Sequence, residues 1–157
     1  MSFEYNIYVG ILALNTIIST IVAWAIGQRR STSTARIPFL LMMLASSFYS
    51  LVAALEAGSV DLKDKIFWST LEHVGSGSTM ILFVIFAVHF THNQRWLTFR
   101  NLTLFLLIPS ANIILVATNA WHHLVWTNFI PHPDANNVII YEHGSGFYWV
   151  VGWIYLY

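Results

Sequence analysis

The chain has 157 residues, of which 57% are hydrophobic and 9% charged, and its formal charge is zero. A soluble domain carries roughly 25% charged residues, so the composition excludes an ordinary soluble fold, and the neutral balance points to no nucleic-acid partner. Cysteine is absent, which removes disulfides, thiolate metal sites and cysteine nucleophiles together.

Apolar runs of about 20 residues recur along the chain, the mark of membrane-crossing helices. Tyr5 to Gly27 is the first, with tyrosines at one end and Trp24, Arg29 and Arg30 at the other. It is not read as a signal peptide, because no basic region precedes it, it is too long, and it ends in Gln28-Arg29-Arg30 rather than a small-residue cleavage site. Ile37 to Ala57 is the second, opened by Pro38, which suits a first helical turn. The polar turn Asp61-Leu62-Lys63-Asp64-Lys65 leads into the third, Ile66 to Phe90. Leu102 to Thr118 is the fourth, and Pro109 in its middle predicts a kink. Gly146 to Tyr157 begins a fifth.

These runs predict an all-α membrane protein: one polytopic bundle over residues 1–157, with four complete spans and the start of a fifth. Twelve helical residues cover only about 18 Å at ~1.5 Å per residue, against a hydrocarbon core ~30 Å thick. Carbonyls left unpartnered in lipid are costly. The expectation is therefore an incomplete domain from a longer protein, the alternative being a neighbouring subunit that covers Tyr157.

The arginines set the orientation. Arg29, Arg30 and Arg36 lie in the first loop and Arg95 and Arg100 in the third, whereas Lys63 and Lys65 in the second loop are offset by Asp61 and Asp64. By the positive-inside rule the amino terminus and the second and fourth loops are outside the cytoplasmic membrane. Trp68, Trp121 and Trp126 are then expected at the outer interface, and Trp24 and Trp96 at the inner one.

Asn119 to Tyr148 is the only long polar interval, and it holds four of the seven histidines. Residues 119–145 are expected to form an outward-facing lid. Leu124 to Ile130 and Asn137 to His143 are rich in β-branched and aromatic residues. Pro131-His132-Pro133-Asp134-Ala135-Asn136 between them is turn chemistry, so a β-hairpin is predicted. A symmetric register would set Trp126 opposite Tyr141 and return His122 and His123 beside His143.

Ionisable groups within membrane spans are costly and therefore candidates for function. In the third span Ser69, Glu72, Ser76 and Thr79 recur at helical spacing as one polar stripe, and in the second Tyr49, Ala53 and Glu56 share a face. Depth along the spans brings Glu56, Glu72 and His73 beneath His122, His123, Glu142 and His143. With Asn119, Trp126 and Tyr141 these residues form a candidate signal-binding cup. Plainer readings stand beside it. Glu56 is near enough to its helix end to reach water, and His73 points about 100° from Glu72, toward a neighbouring helix. Gly75-x-x-x-Thr79 and Ser46-x-x-x-Ser50 read as helix-packing surfaces.

A metal ion held by His122, His123 and His143 is an alternative occupant, although adjacent histidines diverge and His-x-x-x-His spacing is missing. No phosphate-cradling glycine loop, nucleophile elbow or catalytic triad is present in the sequence. The chain is read as a non-enzyme with no assigned cofactor.

Leu55-Glu56 closing the second span, Phe67-Trp68 opening the third, Thr118-Asn119-x-x-His122-His123-Leu124-x-Trp126, and Tyr141-x-His143-Gly144-x-x-Phe147 occur in order. Together they resemble the amino-terminal seven-transmembrane input domain of prokaryotic sensor histidine kinases, over essentially the whole chain. The resemblance implies an outside amino terminus, a downstream cytoplasmic two-component signalling module and a homodimeric receptor. It carries a signal-receiving role onto Glu56, Asn119, His122, His123, Trp126, Tyr141, His143 and Gly144. Kinase activity does not carry over, because the phosphoacceptor histidine box and ATP-binding domain are not in this sequence.

Two functions from different classes follow. The first is a signal-input domain that senses a small ligand, a metal or protons at the outer face. The second is a small integral subunit of a membrane complex, binding haem or metal.

Overall fold

The computed structural model describes residues 2–29, 32–132 and 137–152. Four long helices dominate it: α1 (Ile7–Gln28), α2 (Arg36–Gly58), α3 (Leu62–Phe90) and α4 (Phe99–Ala117). Each is long and apolar enough to cross a membrane. A single turn, α5 (Asn119–His122), leads into the antiparallel strands β1 (Trp126–Pro131) and β2 (Ile139–His143), and α6 (Ser145–Gly152) follows. Arg30, the turn residues 133–136 and the fifth run beyond Gly152 lie outside the described residues.

The helix ends follow from local chemistry. Asn6 caps α1 by accepting from the Val9 N–H at 3.0 Å. Arg36 closes its other end, donating to the carbonyls of Ile26 and Gly27 at 3.1 and 2.6 Å. Thr98 caps α4 through the Asn101 N–H. The third helix starts four residues earlier than the hydropathy run predicts. Leu62 to Lys65, read as a turn, are its first residues, with Asp64 in the first turn, where a carboxylate favours the helix dipole. Pro109 sits within a continuous α4.

Small and hydroxyl-bearing residues join the helices. Asn15 donates to Ser50 and Thr20 bonds Ser47 at 2.7 Å between α1 and α2. Gly75 of α3 lies against the Tyr49 backbone of α2 so closely that a Cβ would stand 2.9 Å from the Tyr49 Cα. Interhelical bonds of this kind supply specificity where lipid removes the hydrophobic drive, at about 1 kcal/mol each. Large apolar side chains remain outward: Ile11, Leu14, Ile17 and Ile21 on α1, and Leu104, Leu107 and Ile114 on α4. That pattern suits lipid contact, since a water-soluble monomer rarely exposes so continuous an apolar surface.

The amino terminus, the α2–α3 turn and the hairpin share one end of the bundle. Phe3 pairs with Ser59, Glu4 N–H donates to Gly58 O at 2.7 Å, and Val60 N–H donates to Ser2 O at 3.1 Å. The Phe3 ring covers Gly58, where a Cβ would collide with it. At the opposite end Gln94 donates to Thr34 at 2.7 Å and ties the first and third loops together.

The hairpin forms, but with a different register from the symmetric one. Trp126 pairs with His143, Asn128 with Glu142 and Phe129 with Tyr141, with an irregularity between Trp126 and Asn128. The cause lies upstream. Asn119 Oδ1 accepts the N–H groups of Val125 and Trp126, and His122 Nδ1 accepts that of Leu124, so neither Leu124 nor Val125 offers its N–H to β2. Trp126 is also not interfacial. It is 4% exposed, in a core with Val116, Val125 and Val150, whereas Trp121 is 86% exposed.

Candidate functional site

The short turn after α2 folds the first residues of α3 back onto the last turn of α2. Lys65 is thereby buried to 2% exposure, and its ammonium donates to the Glu56 carbonyl oxygen at 3.0 Å. Ser69 and Glu72 follow Lys65 at i+4 and i+7, so all three share one face. From the hairpin, Tyr141 Oη donates to Glu56 Oε1 at 2.7 Å. Tyr141 has one proton and spends it on Glu56, so the Ser69 hydroxyl, which also acts on the phenol, can do so only as a donor. Glu72 is within Coulombic reach of Glu56, Tyr49 and Tyr141. Burial raises the Tyr141 phenol above the usual tyrosine range, and the Glu56 charge and hydrogen bond push it the same way. The phenol therefore stays protonated and serves as a donor.

An aromatic layer roofs this cluster. The Trp126 ring lies 5.6 Å from Tyr141 and 6.1 Å from Phe129, and Phe129 meets Tyr141 edge-on at 5.5 Å. His73 turns its ring edge to Trp126 at 5.7 Å, while its Nδ1 lies 2.9 Å from the Ser69 carbonyl. A carbonyl can only accept, so Nδ1 carries the proton.

The other expected cup residues serve differently. Asn119 uses its whole amide on the hairpin backbone: Oδ1 accepts from Val125 and Trp126, and Nδ2 donates to Trp126 O at 3.0 Å. His122 Nδ1 accepts the Leu124 N–H at 3.0 Å, and Nε2 donates to Leu115 O at 3.1 Å with Thr118 Oγ1 equally near. His123 ends α5 in the left-handed conformation, φ 50°, with its side chain exposed. His143 is exposed and stacks on Phe147 at 3.5 Å. Glu142 is exposed, and its carbonyl accepts from Thr127. Gly144 is a packing requirement, because a Cβ there would stand 2.3 Å from the Leu124 oxygen.

The metal reading is corrected by this geometry. Among the described residues no three His, Asp or Glu side chains come together to hold a metal ion. His122, His123 and His143 are engaged differently: the first is held by backbone, the second is exposed at a left-handed φ, and the third is stacked on a ring.

Of the expected cup, the structure brings together Glu56, Glu72, His73, Trp126 and Tyr141. Lys65 was missed, as a loop lysine offset by Asp61 and Asp64. Extending the Ser69-Glu72 stripe one turn toward the amino end reaches it and would have found it.

Comparison with known proteins adds one finding. The family described as the N-terminal 7TM region of histidine kinase matches residues 9–157. No curated protein and no solved structure matches the chain.

Proposed function

Because the chain belongs to the family of N-terminal 7TM regions of histidine kinases, we propose that its stimulus acts at the end of the bundle where the hairpin covers Glu56 and Glu72. In this reading that end faces outward, the amino terminus is outside, and the hairpin is a lid. The stimulus is a small ligand or a proton, and the output passes to a cytoplasmic signalling module. The family supports the sensor role, and four apolar helices agree with a multi-pass membrane protein.

The observation that carries the proposal is the bond from Tyr141 to Glu56, 85 residues apart in the chain. It is a direct polar link between the hairpin, which Asn119 holds to the end of α4, and the α2–α3 pair. A hydrogen bond to a charged group contributes about 1.5–3 kcal/mol. A change of one or two kcal/mol alters a two-state ratio by about 5–30-fold. A stimulus that binds better when this link is made, or better when it is broken, would therefore shift the helix packing, as differential affinity requires.

The test is Tyr141→Phe and Glu56→Gln in the full-length receptor, read as autophosphorylation in membranes at matched expression. Both variants are expected to change basal output about fivefold or more, in the same direction. Wild-type output from both would remove the hairpin link from signalling.

A further inference from the structure

A cavity of about 420 Å³ lies between the hairpin, the amino-terminal segment and the start of α3. Its composition differs from that of a lipid-facing groove. The charged and titratable groups lining it are Lys65, Glu4 and His132, and Asn137 lines it as well. Among the described residues the buried Asn137 Nδ2 has no hydrogen-bond partner. Leaving such a donor unmade costs about 1–3 kcal/mol in a protein interior, so an acceptor from outside the chain is the natural complement. Lys65 donates to the Glu56 carbonyl, and an ammonium carries three donors. The remaining walls include Val60, Phe129 and Ile139, which offer apolar and aromatic surface.

From these groups we propose that the cavity binds a small organic acid with an apolar body, of the class of a free apolar amino acid. Its carboxylate would meet the donors of Lys65 and Asn137, and its side chain would lie against Phe129 and Ile139. Glu4 supplies the counter-charge for an ammonium group. Glu4 is held close by, since its backbone N–H bonds Gly58 O while Lys65 bonds Glu56 O, two residues away on the same helix end. A ligand here would touch the amino-terminal segment, the α2–α3 turn and both strands. It would thus bias the contact that carries the Tyr141–Glu56 bond. Only this signalling consequence rests on the sensor reading; the binding does not.

The experiment is calorimetric titration of the full-length protein in lipid nanodiscs with L-phenylalanine, L-leucine and phenethylamine, which lacks the carboxylate. Saturable binding of either amino acid, with none of phenethylamine, is expected. Asn137→Gly should weaken it about tenfold or more. Asn137 has φ 61°, so glycine keeps the backbone while removing the amide. Val60→Trp, at a position 45% exposed, should fill the cavity and abolish binding without altering thermal unfolding. The proposal is overturned if neither amino acid binds, if phenethylamine binds as tightly, or if both variants bind as wild type does. Autophosphorylation read in the same nanodiscs separates the two claims. Binding with unchanged output upholds the cavity and removes its signalling consequence, whereas no binding overturns the cavity whatever the Tyr141 and Glu56 variants do.

Discussion

Asn119 grips both sides of one residue, accepting the Trp126 N–H at 3.1 Å on Oδ1 and donating to the Trp126 carbonyl at 3.0 Å from Nδ2. A side-chain amide is the group that can do both at once. The Val125 N–H adds a third bond at 2.9 Å, so the hairpin's first strand hangs on one buried asparagine. The same clamp sets the register that places Tyr141 over Glu56.

Asn119→Asp therefore tests the clamp more sharply than truncation does. Aspartate keeps the acceptor but cannot donate to Trp126 O, and it places a charge where the residue is buried. The expected loss is about 2–4 kcal/mol, from an unmade bond and an uncompensated charge. Asn119→Ala should cost a similar amount. Thermal unfolding in detergent, followed by tryptophan fluorescence, measures both, and an unchanged midpoint for Asn119→Asp would refute the clamp.

The α2–α3 crossing makes a second prediction, with its own control. At Gly75 a Cβ would approach the Tyr49 backbone to 2.9 Å, whereas at Gly77 the nearest atom is 3.8 Å away, on Pro109. Gly75→Ala should destabilise by about 1–3 kcal/mol through overpacking. Gly77→Ala should be neutral or slightly stabilising through its better helix propensity. Equal effects at the two glycines, read by the same unfolding assay, would contradict the close approach.

What the sequence made legible was whatever depends on periodicity and depth. Hydropathy located four helices to within a few residues, and counting turns inward from the helix ends set Glu56, Glu72 and His73 beneath the hairpin. What it missed depends on direction. His122, His123 and His143 are expected side by side, but the left-handed φ of His123 and the stacking of His143 on Phe147 give each its own surroundings. The hairpin register was hidden for the same reason, being fixed by Asn119 from outside the strands. Lys65 looked like a loop lysine because its burial comes from a carbonyl nine residues back in the chain, a tertiary fact that local charge pairing does not display.

The phenol of Tyr141 gives a pH prediction with a definite sign. Its folded pKa is raised above the ordinary 10.0, by burial first and then by Glu56. A raised folded pKa means that the stability contribution is fully present below the unfolded value and is lost as pH rises through the folded one. The stability difference between wild type and Tyr141→Phe should therefore stay flat from about pH 6 to pH 9 and shrink only under stronger alkali. Chemical unfolding of both proteins across that range measures it. A difference that falls between neutrality and pH 9 would mean that the phenol ionises early and is not held by Glu56.

The proposed orientation can be tested by cysteine labelling, because residues 1–157 contribute no cysteine of their own. Arg36 lies at the end of the bundle opposite the hairpin, closing α1 through the Ile26 and Gly27 carbonyls. Gln94, next to Arg95 in the third loop, ties that end together through Thr34. A concentration of arginine at one end faces the cytoplasm under the positive-inside rule. His132 on the hairpin and Arg95 in the third loop are suitable reporters, since neither belongs to the Glu56 cluster. His132→Cys should react with a membrane-impermeant maleimide on intact cells, and Arg95→Cys only after the cells are opened. The reverse pattern would place Glu56, Tyr141 and the cavity beside Lys65 on the cytoplasmic side. The site would then have to respond to an internal signal, and the outward-facing lid would be wrong.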